Sequence, residues 1–185
     1  MVKNDNQTVI AREDRVFEHQ AMEPLENPRV AVSATEGAGG YNLPISKLRG
    51  VPFQARVALK VRRITTCSQL LATAARYERR EALATATRLP LDLLTILAQR
   101  ADMARVNGIG TVFGLMLEEL GIRDVAALAA QEPDALHEQL RRYNQEERLA
   151  RRSPTPEEVA DWVAQARRLP QLVTYGANAE LTAAE

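Results

Sequence analysis

The sequence predicts an all-α fold in which one compact helical domain is made of two tandem units and follows a poorly structured N-terminal extension. Two observations predict this class. Ala and Leu are abundant, whereas aromatic residues make up 4% of the 185 residues, and small aliphatic side chains suit closely packed helices better than sheets. From residue 42 onward, apolar residues recur at helical spacing, and the pattern is written twice.

The N-terminal extension, residues 1–43, differs from the rest of the chain. Residues 8–20 have the spacing of a short helix, and Pro24, Pro28 and the glycines within 37–40 then break regular structure. Two interpretations stay open: a flexible tail, or a docking segment whose apolar pairs become ordered on a partner. The candidate docking residues are Val9, Ile10, Val16 and Phe17.

An internal repeat divides the remainder into copies at residues 44–103 and 104–176, with a C-terminal tail at 177–185. At an offset of 58, residues 48–52 align with 106–110 and Cys67 aligns with Val125. At an offset of 66, residues 96–99 align with 162–165, which implies about eight inserted residues near 144–152. The apolar positions coincide while the surface residues differ, as expected of one fold written twice.

Capping signals predict where several helices begin and end. Thr66, with Gln69 three residues on, is a capping box, and Asp124 takes the equivalent place in the second copy. The run 155–158 combines an N-cap Thr, a Pro at the first helical position and a Glu at the third. Gly121 follows a helix that should end near residue 120.

The run Asn107-Gly108-Ile109-Gly110 lies between two predicted helices, and the second of these begins near Thr111. Glycines allow a tight turn and a close approach of the backbone to a ligand. The following helix presents unpaired N–H groups and the positive end of its dipole. The pattern therefore predicts an anion site suited to a backbone phosphate, a contact that positions nucleic acid without reading its sequence. The flanking apolar positions are Val106, Ile109, Phe113, Met116, Leu117 and Leu120.

The region from about residue 44 to 175 resembles a bacterial family of tandem helix-hairpin-helix domains of unknown function. The matching parts are Gly50, the turn 108–110, the segment 99–105 and the closing helix 162–170. That family is related by fold to the non-specific DNA-binding hairpins of polymerases, ligases and repair proteins. The resemblance implies two helix-hairpin-helix units and, as an expectation, nucleic-acid binding, with DNA favoured.

The zero net charge hides a basic half and an acidic half. Residues 48–90 carry nine Lys and Arg against two acids, a net +7, whereas residues 91–147 carry five Arg against ten acids, a net −5. Such polarity can steer a polyanion to one face, and it equally suits head-to-tail self-association. In the first copy Pro52 replaces the second glycine, and because proline has no N–H this turn loses one phosphate donor.

Candidate nucleic-acid contacts are the glycine turns and the basic residues near them in sequence. They are Arg49, Gly50, Arg56, Lys60, Arg62, Arg63, Arg76, Arg79, Arg80, Arg105, Gly108, Ile109, Gly110 and Thr111. For the cluster at residues 76–80, the alternative interpretation is a solvated helix face. The second turn has acids nearby in sequence, namely Glu118, Glu119 and Asp124, which would weaken its hold on phosphate.

Two functional hypotheses follow. The first is a non-catalytic, sequence-independent nucleic-acid-binding module. The second is a protein-interaction or scaffold domain that kept the fold and lost phosphate binding. No enzyme is expected, because the sequence lacks the known nucleophile, phosphate-loop and dinucleotide motifs.

The remaining candidates for chemistry have structural interpretations. Cys67 and Trp162 are predicted core residues, and Asp92 and Asp102 are predicted to lie at a helix cap and a solvated junction. With two histidines and one cysteine, no metal site is expected. We likewise expect no cofactor, no small-molecule substrate, no membrane span and a cytoplasmic location.

Overall fold

The structure, a computed structural model, describes residues 43–176, and this part of the chain is all-helical, as predicted. It contains a short 3-10 helix and eight α-helices, and its only β feature is an isolated bridge between Pro44 and Thr66. The 3-10 helix is Ile45–Lys47, and the α-helices are α1 (Phe53–Val61), α2 (Cys67–Ala74), α3 (Tyr77–Thr87), α4 (Leu91–Met103), α5 (Thr111–Glu119), α6 (Val125–Ala129), α7 (Pro133–Glu147) and α8 (Pro156–Arg168). The predicted docking residues Val9, Ile10, Val16 and Phe17 and the tail 177–185 lie outside the described residues.

Left-handed backbone residues recur in the same order in the two halves of the described chain, α1–α4 and α5–α8. Six described residues have positive φ, and they form three equivalent pairs. The pairs are Gly50 (63°) with Gly108 (90°), Arg63 (60°) with Gly121 (82°), and Arg88 (57°) with Arg148 (51°). The first two pairs keep the predicted spacing of 58 residues. Residues other than glycine adopt the left-handed region at an energetic cost. Its occurrence at equivalent positions therefore indicates that the backbone follows the same course in both halves.

The fourth helix of each half corrects the predicted register. The buried residues of α4 (Leu94, Leu97, Ala98, Ala101) match those of α8 (Val159, Trp162, Val163, Ala166) at an offset of 65. The predicted offset of 66 would pair Ile96, which is 41% exposed, with Trp162, which is 1% exposed. That offset is wrong by one residue. Because apolar residues are adjacent in both helices, an alignment shifted by one residue still pairs similar residue types. Only burial distinguishes the two alignments.

Each half has its own hydrophobic core. The first core is built around Leu59, Leu70 and Leu97, and the second around Leu117, Leu140 and Trp162. Cys67 and Trp162 are buried core residues, as predicted. After α8 the chain runs back to the first half. Residues 172–173 pack against the first core, although they belong to the second copy by sequence. Both halves are thereby tied together by the C-terminal segment.

The predicted helix starts are confirmed. Thr66 and Thr155 each accept a hydrogen bond from the backbone at the third helical residue, and in both boxes the Gln69 or Glu158 side chain accepts from the N-cap N–H. The Asp124 side chain accepts from Ala127 N at 2.8 Å. Each such cap contributes about 1 kcal/mol to the stability of its helix.

A buried ion pair lies where the two halves meet. Asp102 pairs with Arg105, and its second carboxylate oxygen accepts from Val125 N at 3.1 Å. Burial raises the pKa of Asp102 above its usual value in spite of these bonds. The prediction of a solvated junction at Asp102 is therefore wrong, because α6 and the segment after α8 cover the end of α4.

Candidate nucleic-acid interface

The two glycine turns flank a single cleft. The first glycine turn (residues 49–52) precedes α1 and the second glycine turn (residues 107–110) precedes α5. Arg49 of the first and Ile109 and Gly110 of the second line the cleft, which has a volume of about 90 Å³. Two segments that the repeat makes equivalent thus lie side by side in the folded chain.

A side chain from the fourth helix of each half holds the corresponding turn. Gln165 of α8 accepts from Asn107 N at 2.8 Å and donates to Asn107 O at 3.2 Å. Arg100 of α4 donates from Nη1 to Arg49 O at 2.5 Å. The partners correspond in the two halves, so both turns are fixed from the same direction by different chemistry.

The two glycines of the second turn have different roles. A Cβ on Gly108 would lie 2.8 Å from Trp162 Nε1, and its φ of +90° is strained for any other residue. A Cβ on Gly110 would meet nothing within 4 Å, and its backbone is extended. Pro52, the equivalent of Gly110, is the N-cap of α1. The fold therefore requires Gly108, whereas a bare Gly110 leaves its backbone accessible.

The start of α5 is open. Gly110 is its N-cap and supplies no side-chain hydrogen bond, and the described residues give the first N–H groups of α5 no acceptor. Thr111 and Val112 are both exposed. The partial positive charge of a helix end therefore faces solvent beside the second glycine turn.

Basic side chains that are distant in sequence surround this helix start. Arg151 and Arg152 share a groove of about 410 Å³ with residues 110–113, and Lys47 lines the cleft together with Gly110 and Thr111. Arg152 lies over the Phe113 ring at 5.8 Å and pairs with Glu158 at 2.6 Å. Lys47 and Arg151 are exposed, and neither forms an ion pair within residues 43–176.

Sequence reasoning missed these three cations. Lys47 belongs to the first copy, while Arg151 and Arg152 lie in the insertion near residues 144–152, outside the aligned segments of the repeat. The signal that could have found them is the charged run at 148–152, an insertion placed just before the capping box of α8.

Two of the three acids that lie near the second turn in sequence are engaged elsewhere. Glu118 binds both Arg49 and Arg100, the latter with 2.8 Å between Nε and Oε1. Asp124 is buried, caps α6 and accepts a hydrogen bond from Tyr175 Oη. Glu119 remains exposed, but it is the last residue of α5, at the end opposite the second turn. The electrostatic objection raised by the sequence is therefore much reduced.

Most predicted basic contacts of the first copy are on the surface. Arg62 donates to Ala86 O at 2.7 Å, and Arg79 to Ala72 O at 3.3 Å. Arg49 is half-buried in its ion pair with Glu118, which neutralises it. The exposed members of the predicted set are Arg56, Lys60, Arg62, Arg63, Arg76 and Arg79.

Two predicted contacts, Arg80 and Arg105, are buried and cannot reach nucleic acid. Arg80 is 1% exposed and donates to the carbonyls of Ala74, Ala75 and Thr174. Burial lowers its pKa. Arg105 is 6% exposed and divides its donors between Asp102 and the carbonyl of Pro170. Both side chains fasten the C-terminal segment, whose contacts with these arginines span 65 residues or more of sequence.

In the part of the chain that the structure describes, no helix is long and apolar enough to cross a membrane. No group of three His, Cys, Asp or Glu residues within 43–176 is placed to hold a metal ion.

Comparison with known proteins gives one result. The model of a family described as a domain of unknown function, DUF4332, matches residues 50–169, and the chain belongs to that family. The match begins at Gly50 and covers all eight α-helices. No curated protein and no solved structure gave a significant match.

Proposed function

We propose that this member of the DUF4332 family is a non-catalytic, sequence-independent nucleic-acid-binding module, with DNA as the favoured ligand. Its two glycine turns are then helix-hairpin-helix turns, and the second is the main phosphate contact. One observation carries the proposal: the uncapped start of α5 lines both the cleft that contains Lys47 and the groove that contains Arg151, and neither cation has an acidic partner among residues 43–176.

The chemistry of this arrangement suits a phosphate diester. Free N–H groups at a helix start bind anions, and the dipole favours negative charge there. Arginine adds planar paired donors that match phosphate oxygens. Such contacts recognise the backbone and leave base edges unread, which is why no sequence preference is expected.

The two turns contribute unequally in this proposal. The first glycine turn has Pro52 in place of a donor, and its Arg49 is committed to Glu118. The exposed basic residues of the first half instead add a diffuse attraction that depends on salt. Those of the predicted set are Arg56, Lys60, Arg62, Arg63, Arg76 and Arg79.

The test is fluorescence anisotropy of the full chain with labelled duplex and single-stranded DNA over a salt series. Lys47→Glu and Arg151→Glu should each weaken binding about tenfold at low salt and lower the slope of log K against log salt by about 1. Arg168→Glu is the matched control, since Arg168 is exposed on the last turn of α8 and lines neither the cleft nor the groove beside α5.

Absence of binding at low salt would overturn the proposal. Binding that all three variants weaken equally would also overturn it, because that result indicates net charge rather than a site at the second glycine turn.

A protein-interaction domain is the second candidate. It is favoured by the zero net charge and by an exposed apolar face on α1, where Phe53 and Val61 are 72% and 78% exposed. Self-association and binding of a different protein both fall within this candidate.

A further inference from the structure

One face of α1 exposes a stripe of large apolar side chains. Phe53, Val57 and Val61 follow one another at four-residue spacing and are 72%, 45% and 78% exposed. Residues four apart lie on the same side of a helix, so the three form a continuous strip, named here the α1 stripe. Single exposed apolar residues are ordinary, whereas an aligned set marks an interaction surface.

The internal repeat supplies a control for this interpretation. At the offset of 58, the positions of the α1 stripe correspond to Thr111, Leu115 and Glu119 of α5. Two of these are polar, and Leu115 lines the cleft between the turns. Because the same fold is built in the second half without an apolar strip, folding does not require the α1 stripe.

A groove runs beside the α1 stripe. It has a volume of about 420 Å³, and Phe53 and Val57 form one wall while Pro44, Ile45 and Ile64 form part of the rest. Ile45 and Ile64 also belong to the first core, so the groove borders that core directly. Its apolar lining accepts side chains that project from a helix laid along α1.

Charge identifies the kind of helix. Arg56 and Lys60 border the groove, are exposed, and form no ion pair with any residue from 43 to 176. The guanidinium of Arg56 lies over the Phe53 ring at 5.8 Å. Antiparallel pairing of α1 with α1 of a second copy would bring these cations together, which is unfavourable. Acidic groups on a partner would neutralise them.

We propose that the α1 stripe and its groove bind an amphipathic helix of a partner protein. The partner's apolar residues occupy one face at three- and four-residue spacing, and Asp or Glu residues flank them. This surface is independent of the phosphate contact at the second glycine turn, so the two proposals stand or fall separately.

The test uses two designed helical peptides and the full chain. Both peptides have about 18 residues and the same leucine face, with glutamate flanks in one and lysine flanks in the other. In fluorescence anisotropy, the acidic peptide should bind at least about tenfold more tightly than the basic one. The double substitution Val57→Ser and Val61→Ser should weaken it by about tenfold or more, because both exposed contacts are lost.

Ile96→Ser is the matched control, because Ile96 is 41% exposed on α4, outside the α1 stripe, and this variant should bind like the original chain. Circular dichroism and DNA binding that stay unchanged in the double variant would separate loss of this surface from misfolding and from the proposed function. Equal affinity for the two peptides, or no effect of the double substitution, would overturn the proposal. Self-association in sedimentation that the double substitution abolishes would overturn it in favour of a second copy.

Discussion

The side chain of Gln165 forms two hydrogen bonds with the backbone of Asn107, accepting from its N–H at 2.8 Å and donating to its carbonyl at 3.2 Å. In the other half a guanidinium, that of Arg100, makes the equivalent bond to Arg49 O. Arg100 is also held by Glu118, which belongs to the opposite half. The equivalent turn is thus held in both halves. A neutral amide holds it in the second half, and a guanidinium that also pairs with Glu118 holds it in the first.

Gln165→Ala should lower the free energy of unfolding by about 1–2 kcal/mol, because two hydrogen bonds to a turn are lost and Asn107 is partly solvated in their place. Urea denaturation followed by circular dichroism measures this. Gln139→Ala on α7 is the control, since Gln139 is exposed and its side chain makes no hydrogen bond to the described residues 43–176, and it should change stability by less than about 0.5 kcal/mol. Equal effects of the two substitutions would contradict the role assigned to Gln165.

The glycines of the second turn should respond differently to the same change. Gly108→Ala places a Cβ 2.8 Å from Trp162 Nε1 at a φ of +90°, and strain with overpacking should cost about 2–4 kcal/mol. Gly110→Ala meets open space in an extended backbone and should cost less than about 0.5 kcal/mol. Thermal unfolding of both variants, followed by the fluorescence of Trp162, decides the matter. A Gly110→Ala variant that unfolds first would show that the roles are reversed.

Arg80 should prove essential to stability although it lies in a run of surface arginines. Arg80→Met removes the donors to three carbonyls, including that of Thr174 in the C-terminal segment, and should cost about 2–4 kcal/mol. Arg79→Met, one residue earlier on the exposed side of α3, should change stability by less than about 0.5 kcal/mol. Hydrogen exchange should also show earlier opening of residues 172–175 in the Arg80 variant alone. If residues 172–175 exchange as in the original chain, the hydrogen bonds of Arg80 are not what holds this segment.

The local part of the fold could be predicted from sequence because its causes are local. A capping box such as that of Thr155 and Glu158 needs only four residues, and the positive φ of Gly121 follows from its place after a helix. The repeat could likewise be detected from aligned apolar positions, although the alignment of α4 with α8 required burial to settle it. These features depend on contacts between neighbours in the chain.

The candidate site depended on contacts that sequence spacing does not encode. Arg80 and Arg105 resemble their exposed neighbours in sequence, and only carbonyls near residues 170–174 reveal them as buried. Conversely, Arg151 reaches the start of α5 from the insertion between α7 and α8. Charge counted along the chain therefore misjudged both the supply of cations at the second turn and the availability of its acids.

Arg63 should gain stability when it is replaced by glycine. Its φ is +60°, and its equivalent in the second half is Gly121 at +82°, so Arg63→Gly relieves a left-handed conformation that costs a side-chain residue about 1 kcal/mol. We expect the free energy of unfolding, measured by urea denaturation, to rise by up to about 0.5–1 kcal/mol. The entropy that glycine adds to the unfolded chain offsets part of this rise. Gly121→Arg is the reciprocal variant, with open space around its Cβ, and should lose a similar amount. Changes of the same sign in both variants would contradict the pairing.

Cys67 should behave as a buried thiol that titrates only at high pH. It is fully buried at the start of α2, and burial raises its pKa from 9.0 to about 11. An acid whose folded pKa lies above its unfolded pKa stabilises the fold fully below the unfolded value and loses that contribution as the pH rises through the folded value. The free energy of unfolding should therefore fall between about pH 9 and pH 11.

Cys67→Val, which copies the equivalent Val125 of the second core, should show a shallower fall over the same pH range, because the remaining decline comes from other groups. In the original chain, the thiol should react with an aromatic disulfide reagent at pH 8 only at urea concentrations that unfold the first half, since a buried thiol is both protonated and inaccessible. Rapid reaction in native buffer would show that the first core opens locally, and it would remove the basis for the predicted pH dependence.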